Sequence, residues 1–388
     1  MEVSQQKPFT LPAYCDELRE RARTLAAAIE HRAPQADESA SIDQIMRKAL
    51  SESRLCEVVV PKRFGGQFDS VNALAVTVIR EVLAGTSSHL DSLFAMQGIG
   101  SHALALEGEY SLREYWLSKV SRCESIPALA LTEPEVGSDL RSISTTVQER
   151  DGNMVINGHK SFITNAGNAD FYTVLGREGD GFSLVLVPAH TDGLTISRPV
   201  QVMAPHVLGD VILENVVVPT SHRIGEPGQG FPLVLATLAT FRVSVAGAAV
   251  GVAQAALDEA VIHCGDRKQF GRPLIAIGAV SQSLALSWTE IEMARSLTYR
   301  AAALCVDDPV TSLTLSSMAK VAATEVCGRV VDRAVQVMGR FGVVRGSNIE
   351  RLYRQSRLMR IYEGSTEVIL DSLGKQLAKK SMLVKHDN

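Results

Sequence analysis

The sequence predicts a mostly α-helical protein interrupted by one β-rich middle domain. Three observations predict this. Apolar residues recur at helical spacing through the first third, as at Leu11, Leu18, Leu25 and Ile29. Between about Ala128 and Val218 the pattern changes to short alternating runs split by turn signals. After the glycine-rich GEPGQGF, residues 225 to 231, long helical patterns return and carry the chain to its end. The expected division is an N-terminal helical domain (1–127), a middle β domain (128–224) and a C-terminal helical bundle (225–388).

Each element has its own signal. Ser41 precedes a second helical run through Ile42, Ile45, Met46 and Leu50, and VVVPKRFGG is an apolar run halted by Pro61 and Gly65-Gly66. VNALAVTVIREVLAG, HLDSLFAMQGIGSHALAL and SLREYWLSKV are further helical patterns, and Pro127 marks the change to strands. Asp151-Gly152 is a hairpin signal, followed by FYTVLGR, FSLVLVP, GLTISRPV and DVILENVVVP as candidate strands. No helices alternate with them, which argues against a doubly wound parallel sheet. In the last third, Ala246, Gly247, Ala248, Ala249, Gly251 and Ala253 suit close approach of two helices.

The 388 residues, 46% of them apolar, suffice for two or three domains with a large core. A net charge of −4 without a basic block excludes nucleic acid as the main partner, while leaving room for a local patch serving a phosphorylated ligand. Six scattered cysteines (15, 56, 123, 264, 305, 327) form no CxxC pair and read as reduced structural thiols, with no metal site. The N-terminus has no signal-peptide core, and no uninterrupted apolar run has the length of a membrane span. The expectation is a cytoplasmic protein with no membrane insertion.

Common nucleotide and hydrolase signatures are missing. GEPGQGF is neither GxGxxG nor a P-loop and reads as an interdomain turn; HExxH and GxSxG do not occur. Near the C-terminus, IYEGSTEVIL (361–370) reads as a tight turn carrying the carboxylate of Glu363, with Gly364 permitting positive φ and Ser365 or Thr366 starting a new helix. Local pattern alone makes Glu363 a loop acid favouring a helix N-terminus.

Five stretches change that reading. LTEPEVGSDL (131–140), NGHKSFITNAGNADFYTVLGR (157–177), DRKQFGRPL (266–274), QVMGRFG (336–342) and IYEGSTE (361–367) resemble, in order and spacing, the acyl-CoA dehydrogenase family of flavoproteins. The resemblance implies the acyl-CoA dehydrogenase fold: a helical domain, a β-barrel-like domain and a four-helix bundle. It implies FAD as cofactor. Leu131, Thr132, Gly137 and Ser138 would face the flavin, with Ser138 also near the thioester tail. Phe162, where many members carry Trp, would supply an aromatic plane, and Thr164 a hydroxyl near flavin N5; without the resemblance Phe162 is an ordinary core residue of a strand. Arg267, Gln269 and Phe270 match the segment that meets the pyrophosphate and adenosine, where a guanidinium suits a diphosphate; on local pattern Arg267 is a solvated helix-end cation. Gln336 and Gly339 match positions reaching the FAD of a neighbouring subunit, which implies a homo-oligomer, usually a dimer of dimers. Ser365 and Thr366 complete the implied cofactor set.

Glu363 matches the catalytic base. Oxidising a saturated Cα–Cβ bond requires a carboxylate to remove the α-proton while the flavin accepts hydride from Cβ. Tyr362, Gly364 and Arg242 match substrate-side positions. Phe241 stands where one subgroup places its base, so the base in the C-terminal loop is favoured.

The chain also departs from the family. Ala239 stands where an Asp often contacts the pantetheine arm, VMAPHVLGD replaces a GxRxS-type stretch, Gly339-Arg340 replaces a glycine pair, and a Gln common after RKxFG is replaced near Gly278. The implied substrate is a short, branched or cyclic acyl-CoA, or an acyl or aminoacyl group tethered to an acyl-carrier protein. His206 in the altered loop is either a polar substrate contact or a surface histidine. The electron acceptor is electron-transferring flavoprotein or oxygen. A catalytically idle binding or scaffold member is the contrasting reading, disfavoured by intact Glu363, Thr164 and Arg267.

Overall fold

A computed structural model describes residues 10–197 and 201–386. The N-terminal region is helical: α1 (Ala13–Ile29), α2 (Ala33–Ala36), α3 (Gln44–Ser53), α4 (Ala73–Thr86), α5 (Ser88–Ile99), α6 (His102–Glu107) and α7 (Tyr110–Val120). Asp43, not Ser41, caps α3, because its carboxylate accepts from the backbone N–H groups of Ile45 and Met46 at 2.9 and 3.0 Å. HLDSLFAMQGIGSHALAL is two helices: the chain bends at Gly100-Ser101, where a Cβ on Gly100 would lie 2.8 Å from Pro127.

Strands follow from β1 (Pro127–Ala130), through β2 (Thr146–Arg150), β3 (Asn153–Thr164), β4 (Phe171–Glu178), β5 (Gly181–Pro188), β6 (Leu194–Ser197) and β7 (Leu208–Pro219), to β8 (Arg223–Ile224). The last three residues of the candidate strand GLTISRPV lie outside the described residues. The eight strands form one sheet in the order β6-β7-β3-β2-β4-β5-β8, with β1 parallel to β4. Asp151 and Gly152, at φ +50° and +75°, turn β2 into β3 as their sequence predicts.

The chain then enters α8 (Gly230–Asp266), a small hairpin β9 (Lys268–Gln269) and β10 (Arg272–Pro273), and the long helices α9 (Gly278–Asp307) and α10 (Pro309–Met338). The helices α11 (Asn348–Met359) and α12 (Thr366–His386) close the chain against α10. Helix α4 packs into this bundle through α8, and the small residues explain how. A Cβ on Gly251 would sit 1.9 Å from the Glu81 carbonyl oxygen, and one on Gly247 would sit 2.6 Å from that of Thr77. Backbone thus lies on backbone, which ties the N-terminal helices to the C-terminal ones. By length and composition alone α8 could cross a membrane, but Arg242 interrupts its apolar run and 78% of its most apolar window is buried, so it serves as the bundle's core helix.

Candidate active site

The turn between α11 and α12 carries Glu363. Two successive residues there occupy the left-handed region, Glu363 at φ +54° and Gly364 at φ +100°. A non-glycine residue there costs roughly 1–2 kcal/mol, so surrounding contacts must hold it. Two cations do so: Arg242 Nε on α8 donates to the Glu363 carbonyl at 3.0 Å, and Lys320 Nζ on α10 donates to the Gly364 carbonyl at 2.7 Å. A Cβ on Gly364 would lie 3.2 Å from both the Arg242 guanidinium and Ile369, so glycine is needed for space as well as for φ. Ser365 caps α12, its Oγ accepting from Val368 N–H at 3.5 Å, and Thr366 donates to Glu325 at 2.9 Å.

The Glu363 side chain is left unsatisfied. Its Oε2 is buried with no hydrogen-bond partner. Burial raises its pKa above the usual carboxylate range, opposed by the positive charges of Arg80, Arg242 and Lys320. Arg80 on α4 is itself buried and paired with Asp91 on α5 at 2.8 Å, and its Nη1 donates to Ser244 on α8 at 2.9 Å. Four helices therefore aim charge at one carboxyl whose lone pairs no structural contact consumes. That is the condition of a proton acceptor, since most buried polar atoms are satisfied. Tyr362 lies exposed on the same turn.

A second group of residues surrounds β1 and β3. The 131–138 loop is fastened by a buried ion pair: Lys160 Nζ donates to Glu133 and to the Leu131 carbonyl, both at 2.9 Å. Thr132 donates its hydroxyl hydrogen to the Ser161 carbonyl, so what it offers outward is a lone pair. Gly137 and Ser138 are exposed, and a Cβ on Gly137 would meet nothing within 4 Å. Phe162 is not core. It sits at φ +55° where the β3–β7 register shifts, and its ring is 59% exposed. The irregularity turns an apolar ring outward from the sheet. Thr164 Oγ1 lies 3.4 Å from His206 Nε2, which is also 3.3 Å from Ser92 Oγ. His206 is half-buried with two side-chain neighbours; burial pushes its pKa down to about 4, so it is neutral near pH 7. The altered loop walls a cavity of about 730 Å³ together with Glu38, Arg345, Glu350 and Arg354.

The third group stands apart from Glu363. Arg267 is not simply solvated: its guanidinium lies 5.6 Å from the centroid of Phe341. Gln269 and Phe270 lie on the exposed hairpin, with Phe270 at φ +51° and 92% exposed. Exposed Gln336 and Gly339, at φ +59°, end α10. Within one chain these five residues make no described contact with the Glu363 turn.

Family profiles described as the acyl-CoA dehydrogenase N-terminal, middle and C-terminal domains match residues 14–124, 128–216 and 228–378. The chain belongs to the acyl-CoA dehydrogenase family. It is 32% identical to cyclohexane-1-carbonyl-CoA dehydrogenase of Geobacter metallireducens over 94% of this chain and 95% of that protein. It is 33% identical to 3-(aryl)acrylate reductase of Clostridium sporogenes, covering 90% and 95% of the two chains. Among solved structures, butyryl-CoA dehydrogenase from Megasphaera elsdenii superposes with a TM-score of 0.91 at 27% identity, covering 95% and 99%.

For this acyl-CoA dehydrogenase family member, sequence reasoning missed the buried charges that shape the site: Lys320, the Arg80–Asp91 pair and the Lys160–Glu133 pair. The signal was available for Lys160 and Lys320. Each is a lysine within an apolar run, KSFI and SSMAKVAA, where a buried charge requires a partner.

Proposed function

We propose that this protein catalyses FAD-dependent α,β-dehydrogenation of an acyl thioester, with Glu363 removing the α-proton. The observation that carries the proposal is the unpartnered, buried Glu363 Oε2 with its raised pKa. A raised pKa makes the carboxylate a stronger proton acceptor, and proton transfer by a positioned side chain contributes typically about 10² to 10⁴-fold. The residues present fit FAD: outward-turned Phe162 offers an aromatic face, the open 131–138 loop offers backbone and hydroxyl groups, and Arg267 offers a guanidinium for a diphosphate. When bound, FAD supplies the acceptor for the hydride leaving Cβ. Arg242 and Lys320 neutralise the turn's carbonyls and so keep the carboxyl aimed; buried walls exclude water from it. Backbone N–H groups near Gly364 are the donors available to a thioester oxygen as enolate character develops.

The substrate class is a short, branched or cyclic acyl-CoA. Relatives named for cyclohexane-1-carbonyl-CoA and benzylmalonyl-CoA support it, as do Ala239, which is buried and offers no carboxylate, and the altered 202–210 loop. The loss of that carboxylate also favours a second reading, an acyl group tethered to a carrier protein. The acceptor is electron-transferring flavoprotein or oxygen. The working form is a cytoplasmic homo-oligomer, a dimer of dimers in which Gln336 and Gly339 reach the FAD of a neighbouring subunit, while Arg267, Gln269 and Phe270 meet the pyrophosphate and adenosine of FAD. The exposed Phe270, Trp288 and Met293 support a second copy covering these surfaces.

The test is anaerobic flavin bleaching against short, branched and cyclic acyl-CoAs and carrier-bound acyl groups, followed by reoxidation with air or electron-transferring flavoprotein. Glu363→Gln should retain FAD and lose at least about 100-fold in bleaching rate. A colourless protein that refuses added FAD, or a fully loaded Glu363→Gln variant that bleaches normally, would overturn the proposal and favour an idle binding member.

A further inference from the structure

Lys320 is a fully buried lysine in the middle of a helix, an arrangement that costs free energy unless the ammonium is hydrogen-bonded and its charge compensated. Among the described residues the one hydrogen bond of its side chain runs from Nζ to the carbonyl of Gly364 at 2.7 Å, the residue after the proposed base. The neighbouring carbonyl, of Glu363 itself, is held by Arg242 at 3.0 Å. Consecutive left-handed residues thus have consecutive carbonyls clamped by two cations from different helices. A neutral donor would satisfy the Gly364 carbonyl equally well. The choice of an ammonium therefore calls for a second reason, and it is electrostatic.

We infer that Lys320 is a positioning residue that both clamps the Glu363–Gly364 turn and supplies positive charge to the Glu363 carboxyl while its ammonium stays protonated. This rests on the reading of Glu363 as the proton acceptor. The charged groups facing this carboxyl are Arg80 on α4, Asp91 on α5, Arg242 on α8 and Lys320 on α10, with Tyr362 on the turn. Those acting on Lys320 are Glu363, Arg242, Glu325 and Glu367; burial pushes its own pKa down to about 8, and Glu363 leads the groups opposing that shift. Burial raises the Glu363 pKa and so disfavours the carboxylate form that acts as a base. The three cations pull it back, and Arg80 already spends its charge on Asp91. Lys320 has no ion-pair partner within contact among the described residues, so its charge is available to the carboxyl.

The sign follows. Removing a positive charge disfavours the carboxylate, so its pKa rises, and the acidic limb of kcat/KM moves to higher pH. Opposite charges nearby shift a carboxyl by about one to three units. In Lys320→Gln, which still donates a hydrogen bond but carries no charge, the acidic limb should move up by about one unit with kcat on the plateau reduced only a few-fold. Lys320→Met, which loses charge and clamp, should show the same shift and a plateau about tenfold or more lower. Lys320→Arg should keep the limb in place.

The experiment uses FAD-loaded protein and two readouts: pH profiles of flavin bleaching, and the protonated-carboxyl infrared band of Glu363 taken as a difference against Glu363→Gln. The infrared titration does not need turnover. If no thioester bleaches the wild-type flavin, the proposed function fails while the effect of Lys320 on the carboxyl is still read. A lysine with a purely structural role would lower thermal stability and leave both titrations in place, and that result overturns the inference. So does a Lys320→Arg variant shifted as far as Lys320→Gln, or failure of all three variants to fold, which would make Lys320 a folding residue only.

Discussion

Removing Lys160 or Glu133 should have unequal effects, and the inequality follows from their contacts. Glu133 is buried, which raises its pKa, but hydrogen bonds from the hydroxyl and N–H groups of Thr145 and Ser144 outweigh burial and hold it at about 2 against an ordinary 4.5. Lys160 is pushed down by burial to about 8 from 10.5, and only Glu133 opposes that. At pH 7 the depressed carboxyl contributes roughly 3 kcal/mol and the depressed lysine costs roughly the same, so the intact pair is near break-even. Lys160→Met leaves Glu133 with four other donors and should cost about 1–2 kcal/mol. Glu133→Ala leaves the ammonium facing only the Leu131 carbonyl and should cost about 3–5 kcal/mol. Glu133→Ala combined with Lys160→Met should recover part of that loss. Thermal unfolding of the FAD-loaded protein, with flavin release followed in parallel, measures this double-mutant cycle, and both single variants should release FAD earlier because the 131–138 loop loses its fastening. Equal costs for the two single variants, or a double variant equal to their sum, would refute the assignment of Glu133 as the self-sufficient partner.

Other outcomes follow from the same geometry. Gly364→Ala forces a Cβ to 3.2 Å from Arg242 at φ +100° and should cost about 1–3 kcal/mol while lowering kcat more than it raises KM, read by steady-state bleaching kinetics. His102 is buried, which depresses its pKa to about 4 from 6.5; the unfolded state binds the extra proton first, so stability should fall as pH drops from 6.5 to 4, and His102→Gln should flatten that fall in a pH series of melting temperatures. Phe270→Asp, at a ring that is 92% exposed, should weaken assembly and FAD retention together, checked by size-exclusion chromatography and absorbance at the flavin band. An assembled, FAD-replete variant would remove the hairpin from the proposed subunit contact.

Much of the fold was legible because it is written in local periodicity. The alternation around Asp151-Gly152 and the small residues of α8 each state a requirement that neighbouring residues impose: a turn with positive φ, and a helix face thin enough for another backbone. Boundaries were less legible where two signals compete. Ser41 precedes the apolar run and reads as its start, but the chain's path makes Asp43 the residue that meets the N–H groups of Ile45 and Met46. The site residues were legible as a set of motifs, but their surroundings were not. Phe162 reads as a core strand residue until the β3–β7 register shift turns it outward.

The sequence by itself determined the order of helical, β and helical regions, the family, and Glu363 as the candidate base, because these rest on periodicity and on motifs whose spacing runs along the chain. What only the tertiary structure decided is the charge balance around that base. Arg80, Asp91, Arg242 and Lys320 come from four helices and are separated by up to 240 positions, so no local pattern links them. Whether a carboxyl in a tight turn is a helix cap or a proton acceptor depends on burial and on nearby charge, and both are properties of packing in space.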